Sequence, residues 1–552
     1  MRRRVLPLGL LLAVSVSAGA AGQDAKPAAN VADDFVAAAP VPPVPPPLAS
    51  ALQRIQTEAL AAHVAFLASP ALEGRGLGGR GLEAAAEYVA AGLALAGVPP
   101  LGDGASYFQP VPVREIRGFA GEVAVETRRG AETPSHTFAS GVDCLLSPWS
   151  PQSLTAPLAF AGYGIREPKL GRDDYAGLDV RGKAVLILRG VPDGEAWRDP
   201  ALAARYDAPK ADDRWEVKRE TARALGAAAV LALEGESLAE DLAKEAAATS
   251  LFLPFDAGSE VPPLARLSSP AGRAALAALG LDAVSARSAS PRAEPGVTAT
   301  LRSSGNERLL WSRNVIGVLA GSDPKLRDEA VVLGAHLDHL GRSGDVVFPG
   351  ADDNASGVSA LLEIARAFAA LESRPRRTLV FAFWTGEEDG KLGSGHYVRH
   401  PRWPLVRTAA YVNLDMIGHP WLPEELRKLV ADAALPNGEA FLSKIDPKAF
   451  TDPGLPPDAP HVEAALRWAG PATGMTLRLD RTDGTHGGSD YRDFARARVP
   501  FVRFFGNFFP EYHRAGDTPA VLDPAQVQRM ARLALATAWH LADSLTHSDP
   551  RP

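Results

Sequence analysis

Five short segments between His336 and His513 contain the residues that are best suited to chemistry. Together they combine two imidazoles with several carboxylates, and their ranges are 335–338, 350–357, 386–388, 413–416 and 511–513. Such a set suits a pair of hard-to-borderline divalent metal ions, most often zinc in a hydrolase. The pattern therefore predicts a metal-dependent enzyme.

His336, Asp338 and Asp353 fit the roles of ligand, support and bridge. The imidazole of His336 can bind a metal while Asp338, two positions later, supports it from behind. Asp353 lies in a turn just before a helix predicted over 356–370, where its two oxygens can bridge two metals. Each residue alone also fits an ordinary surface pair or helix cap, so the assignment depends on its coincidence with the other segments.

The adjacent pair Glu387 and Glu388 is the most informative of the carboxylates. Their mutual repulsion is relieved if one binds a metal while its neighbour acts as a general base. Asp415 follows an apolar run, where a carboxylate has little reason to lie unless it is paired or binds a metal. His513 follows Tyr512 in a polar loop, where an isolated histidine is more often solvated. For six further histidines a structural role is favoured over metal binding: His339, His396, His400, His419, His461 and His486.

Three of the five segments directly follow or close short apolar runs, which lie at 330–333, 378–384 and 410–414. The β-branched and aromatic residues of these runs predict buried strands. Open α/β sheets place their active sites just beyond the C-terminal ends of parallel strands. The sequence therefore predicts an α/β fold with a mostly parallel central sheet that is flanked by helices.

The length of 552 residues predicts two or three domains and not one. Residues 1–20 combine a basic start, an apolar stretch and a small-residue cleavage site, which predicts a signal peptide and a periplasmic or extracellular location. The apolar stretch is shorter than the about 20 residues of a spanning helix, so no membrane span is expected after signal removal. A net charge of -7 gives no electrostatic basis for binding nucleic acid.

The rest of the chain divides by composition. An alanine- and proline-rich stretch predicts an exposed, semi-rigid tether, after which the helical pattern is expected to begin at Ser50 as N-cap. No histidine occurs between His136 and His336, so most of that region is interpreted as an accessory insertion without metal ligands. The predicted linker, N-terminal part of the catalytic domain, insertion and main catalytic region span 21–49, 50–142, 143–295 and 296–548.

The motifs resemble those of secreted dinuclear-zinc aminopeptidases, a family that also includes glutamate-carboxypeptidase-like and transferrin-receptor-like proteins. The resemblance covers most of the chain beyond residue 50, and its motifs lie at 334–338, 350–357, 384–388, 413–416, 489–490 and 512–513. It implies two zinc ions per chain, one held by His336 and Asp415, the other by Glu388 and His513, with Asp353 bridging them.

The same resemblance implies further features of the site and of the domains. The insertion 143–295 looks like a protease-associated domain, which could act as a gate on substrate length. A cis peptide bond is expected between Asp353 and Asn354. The implied roles of the remaining site residues are general base for Glu387, orientation of His336 for Asp338 and, if its hydroxyl points inward, oxyanion binding for Tyr512.

These expectations predict a zinc-dependent exopeptidase, and within that class an aminopeptidase that acts on peptides. A carboxypeptidase and a glutaminyl cyclase are the alternatives within the same fold, although cyclases of this fold bind a single zinc ion. A catalytically inactive, receptor-like module is the alternative from another class. The complete ligand set together with Glu387 argues against that alternative.

Overall fold

The computed structural model describes most of the chain from residue 34 onwards. The described residues are 34–128, 133–147, 153–199, 202, 205–207, 214–234, 238, 250–252, 262–432, 438, 442–443 and 445–544. The predicted signal peptide 1–20 and the first part of the predicted linker lie outside these residues. Among the described helices, none is long and apolar enough to cross a membrane.

The N-terminal part is mainly helical and ends in a long strand. Its elements are β1 (Phe35–Val36), α1 (Pro46–Arg54), α2 (Thr57–Leu67), α3 (Arg80–Leu95) and β2 (Phe108–Thr127). After β2, the described residues up to 278, mostly within the insertion, form short strands and two helices: β3 (Ser135–Ala139), β4 (Cys144–Leu146), β5 (Ser153–Phe160), β6 (Arg166–Glu167), β7 (Arg172–Asp173), β8 (Ala184–Leu188), α4 (Glu216–Ala224), β9 (Ala229–Leu233), β10 (Ser250–Phe252), β11 (Leu264–Leu267) and α5 (Ser269–Ala278).

The C-terminal part alternates strands and helices, as expected for an α/β unit. Its elements are β12 (Arg292–Leu319), β13 (Ala330–His336), β14 (Arg342–Ser343), β15 (Val346–Val347), α6 (Gly357–Ala369), β16 (Thr378–Trp384), α7 (Leu392–Arg399), β17 (Thr408–Asp415), α8 (Pro423–Asp432), β18 (Phe450–Thr451), β19 (Gly454–Leu455), α9 (Pro460–Thr473), β20 (Thr476–Arg478), β21 (Asp480–Arg481), α10 (Tyr491–Arg496), β22 (Phe501–Phe505) and α11 (Pro524–Asp543).

One large mixed sheet connects both parts of the molecule. Its strand order is β21-β19-β22-β17-β13-β16-β12-β5-β8-β9-β11-β4. Strands β22, β17, β13 and β16 run parallel to one another, and so do β5, β8, β9 and β11. Between the two groups β12 is antiparallel to both β16 and β5. The α/β fold with a helix-flanked sheet is confirmed, and its parallel strands form two groups.

The central strands are buried on both faces. Every residue of β13, β16 and β17 is buried, which explains why the sequence reads there as nearly continuous apolar runs. One hydrophobic core joins this sheet to α1, α2, α6 and α11, and a second core joins it to α7 and α10. The strand ends are therefore fixed by packing on both sides.

The predicted tether is in part structured, which corrects the expectation for 21–49. Strand β1 pairs with β20, and Val36 is 7% exposed. Helix α1 begins at Pro46 and not after Ser50, and Leu48 is fully buried in the main core. The fixed φ of proline suits the first turn of a helix, so prolines start this helix where they were expected to prevent one.

The insertion has a hydrophobic core of its own, but the core extends beyond 143–295. Val123 and Val125 of β2 and Val297 and Leu301 of β12 belong to it. Strands β2 and β12 pair with each other from Val297↔Thr127 to Val315↔Phe108 and so run from the insertion into the catalytic part. The two long strands are therefore shared between the two parts.

Candidate metal centre

The predicted ligands gather at the C-terminal edge of the central parallel strands. His336 is the last residue of β13 and Asp415 is the last residue of β17. Glu387 and Glu388 follow β16 in the turn before α7. Because these strands are parallel neighbours, their ends lie side by side at one edge of the sheet.

A first group of possible ligands consists of His336, Asp353 and Asp415. The Nε2 atom of His336 lies 3.2 Å from Asp415 Oδ1 and 3.3 Å from Asp353 Oδ1. All three residues are buried or nearly so, and His336 is 1% exposed. One imidazole and two carboxylates at these distances form a compact donor set for one divalent ion.

A second group shares Asp353 with the first and adds His339 and Glu388. The Nδ1 atom of His339 lies 2.7 Å from Glu388 Oε1. The predicted ligand His513 also lies here, with Nε2 at 3.1 Å from Asp353 Oδ2 and 3.3 Å from Glu388 Oε2. The two carboxylate oxygens of Asp353 thus face different groups, as expected of a bridging ligand.

The turn that carries Asp353 is held through its backbone N–H groups by a side chain from the loop after His513. The carboxylate oxygens of Asp517 accept the N–H groups of Asp352 at 2.9 Å and Asp353 at 3.1 Å. The peptide bond between Asp353 and Asn354 is cis, as predicted. A Cβ atom at Gly357 would lie 2.6 Å from the carbonyl oxygen of Leu414, so only glycine permits this close approach of the helix start to β17.

Asp338 supports the site in a different way from the one predicted. The Nδ1 atom of His336 lies 3.2 Å from the backbone carbonyl oxygen of Asp338, and 3.9 Å from its carboxylate. The carboxylate instead accepts the N–H groups of Glu387 at 3.1 Å and Glu388 at 3.2 Å. Asp338 is therefore a link between the His336 loop and the Glu387–Glu388 turn, and its carbonyl group orients the imidazole.

Glu387 lies buried beside both groups of ligands. Burial raises the pKa of Glu387 well above its ordinary value, although the charges of His336 and Lys391 act in the opposite direction. The Nζ atom of Lys391 lies 2.9 Å from Glu387 Oε1. A buried carboxylate with a raised pKa is a stronger proton acceptor than an exposed one, which suits the role of a general base.

Tyr512 and His513 close the site from the loop that follows β22. Their rings are stacked, with centroids 3.8 Å apart. Burial raises the pKa of the Tyr512 hydroxyl, and the charges of Asp353 and Glu388 raise it further. The Tyr512 side chain therefore lies within the electrostatic field of these carboxylates.

The donor set fits a divalent metal both in chemistry and in charge. Although burial alone lowers the pKa of the His513 imidazole, its contacts with Asp353 and Glu388 raise it to about 10. The carboxylates of Asp353 and Glu388 thus favour a positive charge at this position. Nitrogen and carboxylate oxygen donors in small groups are those that zinc prefers.

All five predicted ligands come together in the structure, and one residue was missed. His339 was assigned a structural role, yet it lies in the second group and its Nε2 atom is buried without a hydrogen-bond partner. Its position three residues after His336, at the end of the same strand, was the available signal. No described residue of 143–295 belongs to either group of possible ligands.

Comparison with known proteins gives a family match over the C-terminal part. Residues 314–538 match peptidase family M28. A probable zinc metalloprotease of Pyrenophora tritici-repentis is 29% identical over an alignment of 267 residues that covers 43% of this chain and 59% of that protein. Leucine aminopeptidase 2 of Trichophyton rubrum is 28% identical over an alignment of 280 residues that covers 46% of this chain and 50% of that protein. The chain thus spans about half the length of these curated relatives.

Solved structures with a similar fold cover more of the chain at lower identity. The aminopeptidase from Aneurinibacillus sp. strain AM-1 is 21% identical, with a TM-score of 0.47, and the match covers 92% of this chain and 98% of that one. The zinc aminopeptidase from Bacillus subtilis is also 21% identical, with a TM-score of 0.43 and coverage of 90% and 98%.

Proposed function

We propose that this chain, whose residues 314–538 match peptidase family M28, is a zinc-dependent aminopeptidase with two zinc ions. The observation that carries the proposal is the position of Asp353, whose two carboxylate oxygens face two different groups of ligands. Glu387 lies buried beside both groups. The relatives named as a zinc metalloprotease and a leucine aminopeptidase support the same activity.

The candidate ligands would divide between two ions. His336 and Asp415 would hold one, Glu388 and His513 would hold the other, and Asp353 would contribute to both. His339 is a further candidate ligand of the second ion. Bound there, the two zinc ions would supply Lewis-acid chemistry that lowers the pKa of a water molecule and polarises the scissile carbonyl group.

The chain's own side chains would move the protons and hold the charge. Glu387 takes a proton from the attacking water and passes it to the leaving amine. Lys391, at 2.9 Å from Glu387, holds that carboxylate in place. The Tyr512 hydroxyl donates to the oxygen on which negative charge develops. The free α-amino group of a peptide would be held among the carboxylates of the site, which selects N-terminal residues.

A panel of peptide substrates tests the proposed activity. We expect hydrolysis of aminoacyl reporters and none of N-acetylated or C-terminal reporter substrates, with activity lost on chelation and restored by zinc. Zinc analysis should give two ions per chain. Equal rates on the N-acetylated substrates would contradict an aminopeptidase, and a content of one zinc ion in the active protein would contradict the two-ion site.

Two neighbouring substitutions separate proton transfer from metal binding. Glu387→Gln keeps the size of the side chain but removes the base, so we expect normal zinc content and turnover lowered by at least about 10²-fold. Glu388→Gln replaces an anionic ligand by a neutral one, so zinc should be lost or weakened, and added zinc should restore part of the activity. If Glu387→Gln loses zinc while Glu388→Gln keeps both ions, then Glu387 is the ligand and Glu388 the base, the reverse of the proposed roles.

We further propose that residues 143–295 form a protease-associated domain and that the chain is exported. The separate hydrophobic core of the insertion supports the first part. The basic and apolar pattern of residues 1–20 supports the second. Fractionation of cells that produce the full chain, with sequencing of the mature N-terminus, would test export, and an uncleaved cytosolic product would contradict it.

A further inference from the structure

We propose that Arg75 is a positioning residue of the metal centre, whose guanidinium fixes the distance between the His336 loop and the turn that carries Asp353. The proposal rests on the zinc-dependent function proposed above. Arg75 lies in the N-terminal part of the chain, outside the segment that matches the peptidase family. It binds no ligand side chain and acts through the backbone.

The guanidinium bridges both ligand-bearing segments with hydrogen bonds to carbonyl oxygens. Its Nε donates to the Leu337 carbonyl at 2.9 Å, and Leu337 lies between His336 and Asp338. Its Nη1 donates to Pro349 at 2.8 Å and its Nη2 to Gly350 at 2.8 Å, at the start of the Asp353 turn. One planar group thus joins the two segments that supply His336 and Asp353.

Arg75 is also anchored to the helical layer beneath the site. Nη1 donates to the carbonyl oxygen of Leu67 at the end of α2. The side chain is 1% exposed, so these bonds do not compete with water. Burial lowers the pKa of the Arg75 guanidinium to about 10, while the charges of Asp338 and Asp353 act in the opposite direction. The group therefore remains charged at neutral pH.

Only arginine can make this set of contacts from one position. Its five N–H donors form a rigid planar fork, whereas lysine offers one compact ammonium group on a flexible stem. The partners of Arg75 lie in three directions, at Leu67, Leu337 and Pro349–Gly350. A lysine would therefore keep the charge but lose the link between the two ligand-bearing segments.

The backbone around Arg75 is also fitted to the His339 side of the site. Glu73, Gly74 and Arg75 have φ values of 49°, 71° and 52°, all in the left-handed region. The N–H of His339 donates to the Arg75 carbonyl at 3.2 Å, and the N–H of Gly341 donates to the Gly74 carbonyl at 3.0 Å. The segment 73–75 therefore contacts the chain directly after His336 through both its side chain and its backbone.

Arg377 offers a matched control for loss of a buried arginine. It is 2% exposed, and its guanidinium donates to the carbonyl oxygens of Leu541 at 3.1 Å and Ser544 at 3.0 Å and to Glu329 at 2.8 Å. These partners lie at the C-terminal end of α11 and before β13, away from the ligand groups. Its loss should weaken the fold without changing the metal centre.

The experiment compares Arg75→Lys and Arg75→Met with Arg377→Lys in the full-length chain. Zinc affinity is measured by competition with a chelator, stability by denaturant unfolding, and backbone opening by hydrogen exchange over 336–341 and 349–357 in zinc-free protein. Activity is measured as kcat and KM at saturating zinc. If Arg75→Met does not fold, Arg75→Lys alone answers the question, because it retains the buried charge.

For the Arg75 variants we expect zinc affinity to fall by about 10- to 100-fold, the usual effect of losing a residue that orients ligands. Hydrogen exchange should accelerate in both segments, and kcat should fall more than KM changes. Arg377→Lys should unfold at lower denaturant with zinc affinity unchanged. The proposal is overturned if the Arg75 variants keep zinc affinity and exchange within twofold of the native protein, or if Arg377→Lys changes them equally.

Failure of the proposed function can be told apart from failure of this inference. Hydrogen exchange in zinc-free protein and zinc affinity do not depend on peptide hydrolysis. A native chain that binds zinc but hydrolyses no peptide would contradict the aminopeptidase proposal and leave the Arg75 comparison intact. An active enzyme in which Arg75→Lys behaves like the native protein would contradict only the role of Arg75.

Discussion

The substitution Asp517→Asn tests directly whether zinc binding depends on the position of Asp353, because it changes no predicted ligand. Asp517 is fully buried, and its two carboxylate oxygens accept the N–H groups of Asp352 and Asp353. Asparagine has the same shape but only one acceptor oxygen, and its NH₂ group would face a backbone N–H. The substitution therefore removes one support of the Asp353 turn without removing any predicted ligand.

The expected loss of stability follows from the bonds that change. A hydrogen bond to a charged group contributes about 1.5–3 kcal/mol, and an unsatisfied buried N–H costs about 1–3 kcal/mol. These two effects overlap, so we expect the unfolding free energy to fall by about 2–4 kcal/mol. Zinc affinity should fall by about 10- to 100-fold, because the carboxylate of Asp353, the proposed bridging ligand, loses its fixed position.

Asp174→Asn is the matched control in the insertion. The carboxylate of Asp174 accepts the N–H groups of Tyr163 and Ile165, both at 3.0 Å and both on the same oxygen, Oδ2. Asparagine can keep both bonds on its single carbonyl oxygen, so only the ion pair of Asp174 with Arg172 is lost. We expect a smaller loss of stability and no change in zinc affinity.

Denaturant unfolding of the zinc-free proteins and chelator competition measure the two effects separately. The reasoning is refuted if Asp517→Asn unfolds like the native protein and binds zinc with native affinity. It is also refuted if Asp174→Asn weakens zinc binding as much as Asp517→Asn does, because the effect would then be a general consequence of losing a buried carboxylate.

Two further predictions concern other parts of the molecule. Tyr512→Phe should keep both zinc ions and lower kcat by about 10²-fold, as for loss of one oxyanion donor, and an unchanged kcat would exclude that role. The buried Lys218 amine donates to the carbonyl oxygens of Leu188 and Gly190, and burial lowers its pKa from 10.5 to about 7. Between pH 7 and pH 10.5 the Lys218 amine binds a proton more fully in the unfolded chain than in the native protein, so the stability of the native protein rises with pH. The native protein should therefore gain stability relative to Lys218→Met as the pH rises from 7 to 10.5, by up to about 5 kcal/mol. A difference in unfolding free energy that stays constant over this pH range would refute this prediction.

The central strands and the ligands at their ends were predictable because their signals are local. Buried parallel strands read as continuous apolar runs, so β16 was predicted with the bounds that the structure has, 378–384. His336 and Asp415 stand out because a polar residue at the end of such a run needs a reason. His339 lies at the same strand end but was discounted, since a second histidine three residues later carries no comparable contrast with its neighbours.

The supporting contacts were not predictable, because they join residues that are far apart in sequence. Arg75 contacts Leu337 across 262 positions, and Asp517 contacts Asp352 across 165. A charged residue in a glycine-rich loop has the same appearance whether it is solvated or buried against backbone groups. The length of β12 was also missed, because exposed stretches within its 28 residues separate the buried ones and interrupt the apolar pattern.

The aspartates near the site differ in the groups that their carboxylates contact. Asp338 and Asp517 each use both carboxylate oxygens to accept backbone N–H groups, so each oxygen is aimed at the backbone of a neighbouring turn. Asp353 and Asp415 instead face imidazole nitrogens. The groups that the carboxylate oxygens contact thus distinguish a supporting aspartate from a candidate ligand.

The charge of each supporting side chain matches the backbone groups that it binds. Carboxylates hold the ligand-bearing turns by their N–H groups, at Asp338 and Asp517, and the Arg75 guanidinium holds them by their carbonyl groups. Each support comes from a different part of the chain, so the His336 loop, the Asp353 turn and the Glu387–Glu388 turn are each fixed from outside themselves. Positions fixed in this way do not depend on the metal, and ligands that are held before binding lose less entropy when an ion arrives. The N-terminal helical part is therefore a structural component of the metal centre, although it contributes no predicted ligand.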